Sequence, residues 1–208
     1  LVFHQAAMSS VPRSVEAPLA CHADNATGSL TVLDRARAED ARVVLASSAA
    51  VYGEPSTVPV AETAPTAPAA PYGVSKLAAE EYARVYEARY GLETVALRYF
   101  NVYGPGDSGD ASGVVAAFCD RARAGRPLTV HGDGGQTRDF VHVRDVVRAN
   151  LAAARTDATG RAYNVGTGRE TSIRELAALV RRLADTSVEV VHGPPRGGDI
   201  DRSCADLS

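Results

Sequence analysis

Short apolar runs alternate with helix-like stretches along the first half of the chain, and this alternation limits the possible folds more than any other feature. Residues 43–46 and 94–97 have the length and composition of buried strands. A helix is predicted between them at 72–89, with Gly91 in the position of a C-cap glycine. Because parallel strands need a crossover connection, usually a helix, this order predicts an α/β fold with a mostly parallel sheet covered by helices.

The chain past residue 115 has shorter elements. The pattern predicts helices at 114–124 and 143–154 and extended segments at 128–131 and 188–191. Ser172 and Glu175 have the spacing of a capping box at the start of a further helix. One face of that helix is predicted to be core and carries Ile173, Leu176, Ala177, Val180 and Leu183. The second half is therefore predicted to be a smaller lobe packed on the end of the sheet.

Composition and charge argue against several classes of protein. An apolar run of about 18 residues, as a transmembrane helix needs, does not occur in the sequence. The formal net charge is −3 and the charges are interspersed, so a nucleic-acid partner is not expected. The three cysteines are far apart and lack the spacing of metal ligands, which predicts no metal site and favours a reducing cytoplasm. Residues 1–7 are too short and uncharged for a signal peptide.

Hydroxyl side chains follow the strand predicted at 43–46. Ser47 and Ser48 stand at its carboxyl end, and in open parallel sheets ligands bind at this edge. After the next strand, the segment 98–101 leads into a long loop rich in glycine and proline. Both features place candidate ligand-binding residues at the same edge of the sheet.

Tyr72 and Lys76 are four residues apart and so share one face of the predicted helix. A phenol is a poor base at neutral pH, since its reference pKa is about 10. An ammonium beside it would favour the phenolate, and a bound nicotinamide cation would favour it further. In isolation the spacing also fits a solvated lysine beside a half-buried tyrosine. Together with Ser48 at the strand end and the loop after 98–101, it favours a proton relay to a substrate alcohol.

These residues together resemble the extended short-chain dehydrogenase/reductase family, and most closely its UDP-glucose/UDP-galactose 4-epimerase branch. The resemblance covers essentially the whole chain and is carried by six motifs: 2–7, 47–53, 71–76, 98–105, 138–143 and 196–199. It implies an α/β fold, a Rossmann-like parallel sheet with its N-terminal βα units missing and a smaller α/β substrate-binding lobe. Residues 1–112 would form a partial NAD-binding Rossmann domain with the catalytic residues. Residues 113–208 would form most of the substrate-binding lobe and partly return to the sheet.

The resemblance implies NAD as cofactor and a UDP-sugar as substrate. Tyr72 would be the catalytic base, Lys76 its pKa-lowering partner and a ligand of the nicotinamide ribose, and Ser48 the bridge to the sugar hydroxyl. The residues implied to bind the cofactor are Gln5, Ala6, Ala7, Ser47, Tyr72, Lys76 and Phe100. Those implied to bind the substrate are Ser48, Asn101, Thr129, Val130, His131, Arg138, Arg196 and Asp199.

Within the substrate set, two arginines resemble the clamps that hold the diphosphate. Arg138 and Arg196 suit this role because a guanidinium is a planar donor of several hydrogen bonds. A structural ion pair between Arg138 and Asp139 is the alternative. The segment 129–131 resembles the one that flanks the uracil.

The pair after Ser48 separates the reactions of this family. Sugar 4,6-dehydratases resemble one another in having an acidic pair there, whereas Ala49 and Ala50 can transfer no proton. The resemblance therefore implies 4-epimerisation through a 4-keto sugar. Ser203 falls where strict hexose epimerases place a bulky tyrosine, which predicts that the N-acetyl forms are accepted as well.

The glycine-rich turn that holds the dinucleotide in this family is not among these residues. Both ends are expected to be cut, and the chain as it stands is expected to bind NAD weakly. An inactive sugar-nucleotide-binding or assembly module is therefore an alternative to a working epimerase. A second alternative is another nucleotide-sugar epimerase or dehydratase of the same family. The resemblance also implies a homodimer, with Ala78, Ala79, Tyr82 and Val85 forming either its face or core.

Overall fold

The computed structural model describes residues 1–107, 113–197 and 199–208. Its strands are β1 (Val2–His4), β2 (Val43–Ser48), β3 (Thr94–Tyr99), β4 (Asn101–Tyr103), β5 (Leu128–His131), β6 (Thr137–His142), β7 (Arg161–Val165), β8 (Glu170–Ser172) and β9 (Val190–Gly193). Its α-helices are α1 (Val11–Glu16), α2 (Pro18–His22), α3 (Gly28–Ala38), α4 (Pro71–Tyr90), α5 (Val114–Arg123), α6 (Val143–Ala153) and α7 (Ile173–Leu183). A π-helix, Ala23–Thr27, joins α2 to α3, and a 3₁₀ turn, Ala49–Tyr52, follows β2.

The main sheet is parallel and has the strand order β1-β2-β3-β7. In both β2 and β3 the first five residues are buried, because helices cover the two faces of the sheet. On one face Val43 and Leu45 pack in a cluster with Leu33 of α3 and Ala79 of α4. On the other face Val44 packs in a cluster to which α6 contributes. The α/β fold with a mostly parallel sheet is confirmed.

Helix α4 brings side chains to the carboxyl edge of this sheet. Pro71 occupies its first position, where the missing N–H leaves no hydrogen bond unmade. Gly91 ends the helix with φ 71° and donates its N–H to the Glu87 carbonyl. The helix predicted at 72–89 and its C-cap glycine are confirmed. The helix also contacts the 3₁₀ turn after β2, so the two elements meet at the end of that strand.

The smaller lobe is built on the parallel pair β5-β9, against which α5 and α7 pack. The capping box is present: the Ser172 hydroxyl accepts from the Glu175 N–H, and the Glu175 side chain accepts from the Ser172 N–H. The predicted apolar face of α7 lies in the core of the lobe up to Val180. Leu183 is 75% exposed, so its assignment to the core was wrong.

A third sheet connects the two parts, with β4 parallel to β6 and β6 antiparallel to β8. Strand β7 follows α6 and pairs with β3 in the main sheet. The division of the chain at residue 112 stays a prediction. Among the described residues, none of the helices has the length and apolar character that crossing a bilayer requires.

Candidate active site

Ser48 stands at the carboxyl end of β2. Its side chain caps the 3₁₀ turn by accepting a hydrogen bond of 3.2 Å from the Ala50 N–H, and the residue is half-buried. Ser47 precedes it and faces the other side of the strand, because successive strand residues alternate. The Ser47 hydroxyl is buried and donates to the carboxylate of Glu80. The structure therefore does not support the predicted cofactor contact through the Ser47 side chain.

Tyr72 and Lys76 approach this strand end from the first turns of α4. The Tyr72 backbone N–H donates to the Ser14 hydroxyl at 3.1 Å, which satisfies one of the unpaired donors at the helix start. Lys76 is only 6% exposed, and its ammonium donates to the Ala46 carbonyl at 2.8 Å. The structure thus brings the three predicted catalytic residues, Ser48, Tyr72 and Lys76, to the same strand end.

The ionisation of this site is set chiefly by burial. Burial raises the pKa of the Tyr72 phenol, and the Ser48 hydroxyl opposes the rise because it stabilises the phenolate. Burial lowers the pKa of Lys76 to about 8. The Lys76 ammonium lies 6.0 Å from the Tyr72 ring centroid and bonds to the backbone of Ala46. Burial therefore has the largest effect on the pKa of Tyr72, and the role of Lys76 as its pKa-lowering partner stays a prediction.

A buried asparagine supports the start of α4, and the sequence analysis missed it. Asn25 is 1% exposed, and its side-chain amide donates to the Ser75 hydroxyl at 2.9 Å and to the Met8 carbonyl at 3.0 Å. Ser75 in turn donates to the Tyr72 carbonyl at 2.7 Å. A polar residue on an otherwise apolar helix face is the signal that could have identified Asn25.

The residues predicted to line the path of the cofactor follow β1. Ala6 and Ala7 line a cavity of about 490 Å³, together with His4, Arg13 and Asp24 among others. Gln5 is exposed and joins two other elements: its side-chain carbonyl accepts from the Tyr99 hydroxyl at 3.1 Å, and its amide donates to Asn150 at 3.0 Å.

Phe100 is 6% exposed and packs with Val51, Tyr52, Val60 and Ala205. Phe100 therefore lies in a hydrophobic cluster at the carboxyl ends of β2 and β3. Its predicted contact with the nicotinamide stays a prediction.

The residues predicted to flank the base alternate along β5. Val130 is 1% exposed and its side chain packs in the core of the lobe, so its predicted substrate contact stays a prediction for the backbone alone. Thr129 and His131 are half-buried on the opposite face. The His131 ring bonds to the Pro194 carbonyl at 3.1 Å, which brings the segment before Arg196 to this strand.

Arg138 is buried and pairs with Asp199, while its other terminal nitrogen donates to the Thr137 carbonyl at 2.7 Å. The second oxygen of Asp199 accepts from Gln136 at 3.4 Å. Two predicted substrate ligands, Arg138 and Asp199, are thus in direct contact. Arg196 is exposed, and its carbonyl accepts from the Asp199 N–H at 3.3 Å.

The other predicted substrate residue, Asn101, is exposed at the start of β4. The motif at 196–199 also contains Gly198, which lies outside the described residues. So does the part of the loop after Gly104 that spans 108–112.

The alternative ion pair between Arg138 and Asp139 is absent, because adjacent strand residues point to opposite faces. Asp139 is fully buried and accepts from the backbone N–H groups of Thr167, Gly168 and Ala205 at 2.8, 2.9 and 3.1 Å. Asp139 therefore holds two segments next to β6: the turn after β7, at Thr167 and Gly168, and the C-terminal segment, at Ala205. A cluster of His, Cys, Asp or Glu side chains suited to a metal ion does not occur in the described part of the chain.

Comparison with known proteins places these features in one family. The profile of the NAD dependent epimerase/dehydratase family matches residues 1–166. A putative UDP-glucose 4-epimerase of Methanocaldococcus jannaschii is 40% identical over 210 residues, which cover all of this chain and 68% of that protein.

Solved structures agree with this match. A UDP-N-acetylglucosamine 4-epimerase from Methanobrevibacter ruminantium, in complex with UDP-N-acetylmuramic acid, superposes with a TM-score of 0.97 at 35% identity, over all of this chain and 67% of that one. A UDP-glucose 4-epimerase from Thermus thermophilus, in complex with NAD, gives 0.90 at 41% identity, over 99% of this chain and 68% of that one. This chain thus spans about two thirds of the length of these relatives.

Proposed function

The chain belongs to the NAD-dependent epimerase/dehydratase family, and from this premise we propose that its site serves the 4-epimerisation of a UDP-hexose through a 4-keto sugar. UDP-glucose and UDP-galactose are the proposed substrates, with NAD as cofactor. The relative at 40% identity bears the name putative UDP-glucose 4-epimerase, and the one at 41% is a UDP-glucose 4-epimerase in complex with NAD.

One observation carries the proposal: Ser48, Tyr72 and Lys76 meet at the carboxyl end of β2. Tyr72 accepts the proton of the sugar 4-hydroxyl, and Ser48 bridges the phenol and that hydroxyl. A tyrosine whose pKa is raised by burial holds its proton until a positive charge is placed beside it. The same phenol returns the proton when the keto group is reduced.

The residues after β1 are proposed to contact part of the dinucleotide. Ala6 and Ala7 have small side chains and border a cavity of about 490 Å³, so a planar ring can approach the backbone there. NAD, when bound, supplies the acceptor and donor of the hydride at C4. Lys76, whose ammonium bonds to Ala46 near the end of β2, is proposed to hold the nicotinamide ribose, and its positive charge stays close to the reacting groups.

The substrate diphosphate is proposed to contact Arg138, Arg196 and Asn101, and Asp199 is proposed to contact the sugar-nucleotide from the same loop as Arg196. Arg138 is 8% exposed and already holds a carboxylate, so its guanidinium is oriented towards an anion before a substrate arrives. Thr129 and His131 are proposed to flank the uracil from the exposed face of β5.

The reaction is proposed to stop short of dehydration, because Ala49 and Ala50 can neither give nor take a proton. Ser203 is small, and we propose that it leaves room for a 2-acetamido group. UDP-N-acetylglucosamine would then be a second substrate.

A homodimer is proposed on the outer face of α4, where Tyr82 and Val85 are 41% and 39% exposed, whereas Ala79 is 1% exposed and belongs to the core.

The purified 208-residue chain is incubated with UDP-glucose and a large excess of NAD, because weak binding of NAD is expected, and the products are separated by chromatography. UDP-galactose is the expected product. The variant Tyr72→Phe removes one hydroxyl and is expected to slow the reaction by about 100-fold or more. Its binding of NAD and UDP-glucose, measured by calorimetry, is expected to stay close to that of the wild-type chain.

Three other results would contradict the proposal. A 4-keto-6-deoxy product would indicate a dehydratase of the same family. Binding of both ligands without turnover would indicate a sugar-nucleotide-binding module. Equal rates for the wild-type chain and Tyr72→Phe would exclude Tyr72 as the base.

A further inference from the structure

A buried ion pair lies between α4 and β3, and the proposed reaction does not use it. Glu80 and Arg98 are 6% and 7% exposed. The Nε atom of Arg98 lies 3.0 and 3.2 Å from the two carboxylate oxygens, and a terminal nitrogen donates to Oε2 at 2.8 Å. This is a two-pronged pairing, which fixes orientation as well as distance.

The pair is tied to the strand that carries Ser48. Ser47 and Arg98 are register partners on β2 and β3, so both side chains face α4. The Ser47 hydroxyl donates to Oε1 of Glu80. The carboxylate of Glu80 therefore receives hydrogen bonds from two neighbouring strands at the residue just before Ser48.

The same face of α4 carries the reacting groups. Tyr72, Lys76 and Glu80 follow one another at intervals of four residues. Lys76 donates to the Ala46 carbonyl at 2.8 Å, and Glu80 accepts from Ser47. Two successive turns of α4 are thus bonded to two successive residues of β2, which fixes both the rotation of the helix and its position along the strand.

The network continues to the 3₁₀ turn that Ser48 caps. A terminal nitrogen of Arg98 donates to the Tyr52 hydroxyl at 2.9 Å and to the Glu62 carbonyl at 3.1 Å. The Tyr52 hydroxyl donates to Asn164 on β7 at 2.7 Å. Ser48 is therefore held on both sides. Ser47 before it bonds to Glu80, and Tyr52 in the turn after it bonds to Arg98, the ion-pair partner of Glu80.

We propose that Glu80, held by Arg98 and bonded by Ser47, is a positioning residue that sets the placement of Tyr72 and Lys76 relative to Ser48. This inference rests on the proposed function, because those three residues are its reacting groups. Glu80 does not touch the substrate. It acts through the helix whose earlier turns carry the base.

The test reads the environment of Lys76 directly, without needing turnover. Lys76 is the only lysine of the chain, so labelling lysine with ¹³C at Cε gives a single lysine Cε signal. The chemical shift of that signal against pH gives the ionisation midpoint of Lys76. In the wild-type chain the midpoint is expected at about 8.

Ser47→Ala is the decisive variant, because it removes the bond to Glu80 without changing a charge. Glu80→Gln removes the charge at the centre of the network. If Glu80 positions α4, both changes let water reach Lys76, and the midpoint rises by at least about half a pKa unit towards 10.5. If Glu80 acted only through its charge, the midpoint would fall in Glu80→Gln, because losing an anion beside the retained Arg98 disfavours the ammonium of Lys76.

Two control variants keep the wild-type midpoint if the inference is right. Ser47→Thr retains the hydroxyl that bonds to Glu80. Glu81→Gln repeats the charge loss at the next residue of α4, which is exposed and paired with Arg84. A midpoint that stays fixed or falls in Ser47→Ala would overturn the inference, whatever happens to stability, and this holds even if Glu80→Gln does not fold.

Kinetics separate this inference from the proposed function. If the wild-type chain epimerises UDP-glucose, Ser47→Ala is expected to lower kcat by about tenfold while KM stays within about twofold. An unchanged kcat would contradict the inference. If the wild-type chain does not turn over, the proposed function fails for this chain, and the titration of Lys76 still reports on the placement of α4.

Discussion

The buried ammonium of Lys76 is expected to make the stability of the chain depend on pH in a defined window. Its pKa is about 8 in the folded chain, against an ordinary value of 10.5. Because one pKa unit corresponds to about 1.4 kcal/mol, carrying the charged group costs the folded chain about 3 kcal/mol at neutral pH. Lys76→Met removes that cost but also the hydrogen bond to Ala46, whose net contribution is about 1 kcal/mol. We therefore expect the variant to be more stable by about 2 kcal/mol at pH 7.

The sign of the pH dependence follows from which state holds the proton. Below pH 8 both the folded and the unfolded chain carry the charge, so the cost is constant. Between pH 8 and 10.5 the folded chain has lost the proton while the unfolded chain keeps it, so the free energy of unfolding rises with pH. The advantage of Lys76→Met should therefore shrink by about 2 kcal/mol between pH 7 and 9.5.

The assay is urea unfolding followed by circular dichroism, for the wild-type chain and Lys76→Met at half-unit steps from pH 7 to 9.5. The difference between the two chains cancels the titration of the tyrosines. A difference that does not change with pH would show that Lys76 titrates at its ordinary pKa, and the argument from burial would be refuted.

Three further changes should alter stability in ways that urea unfolding can measure. Asp139→Asn replaces a fully buried carboxylate that accepts three backbone N–H bonds, and we expect the free energy of unfolding to fall by about 3 kcal/mol. A fall of less than about 1 kcal/mol would mean that these bonds contribute little to stability. Leu45→Ala should lower the free energy of unfolding by about 2–5 kcal/mol, because the Leu45 side chain is 1% exposed. Leu183 is 75% exposed, so Leu183→Ala should change it by less than about 0.5 kcal/mol, and similar losses in the two variants would contradict the core assignment. Ser172→Ala removes the N-cap of α7 and should cost about 1 kcal/mol, with no loss if Glu175 alone caps the helix.

The elements whose pattern is local were predictable from the sequence. Helix α4 has a proline at its start and a glycine at its end, and the residue types fix both ends whatever the helix packs against. The runs 43–46 in β2 and 95–97 in β3 are apolar, and only a sheet covered by helices can bury both faces of such runs. The position of Ser48 and Tyr72 follows from these elements.

The direction of individual side chains was harder to predict, although the alternation of strand residues would have decided some cases. Ser47 had to face away from Ser48, Arg138 away from Asp139, and Val130 away from its two neighbours on β5.

Other features depend on contacts distant in sequence. The partner of Arg138 is Asp199, 61 residues away, and nothing local identifies it. Leu183 lies where α7 extends past the core of the lobe, and an apolar stripe does not indicate where its partner surface ends. The pKa of Tyr72 is set by burial, which the spacing to Lys76 cannot reveal.

The return of β7 to the main sheet has a consequence for the order in which the chain can fold. About 60 residues lie between the end of β3 and the start of β7, and they include α5 and β5 of the smaller lobe. The sheet therefore cannot acquire its last strand during synthesis until that intervening segment has emerged. The β5-β9 pair must in turn wait for residues beyond β7. Because contacts of such sequence separation close slowly, we expect the first half to collapse early and the substrate lobe to be completed last.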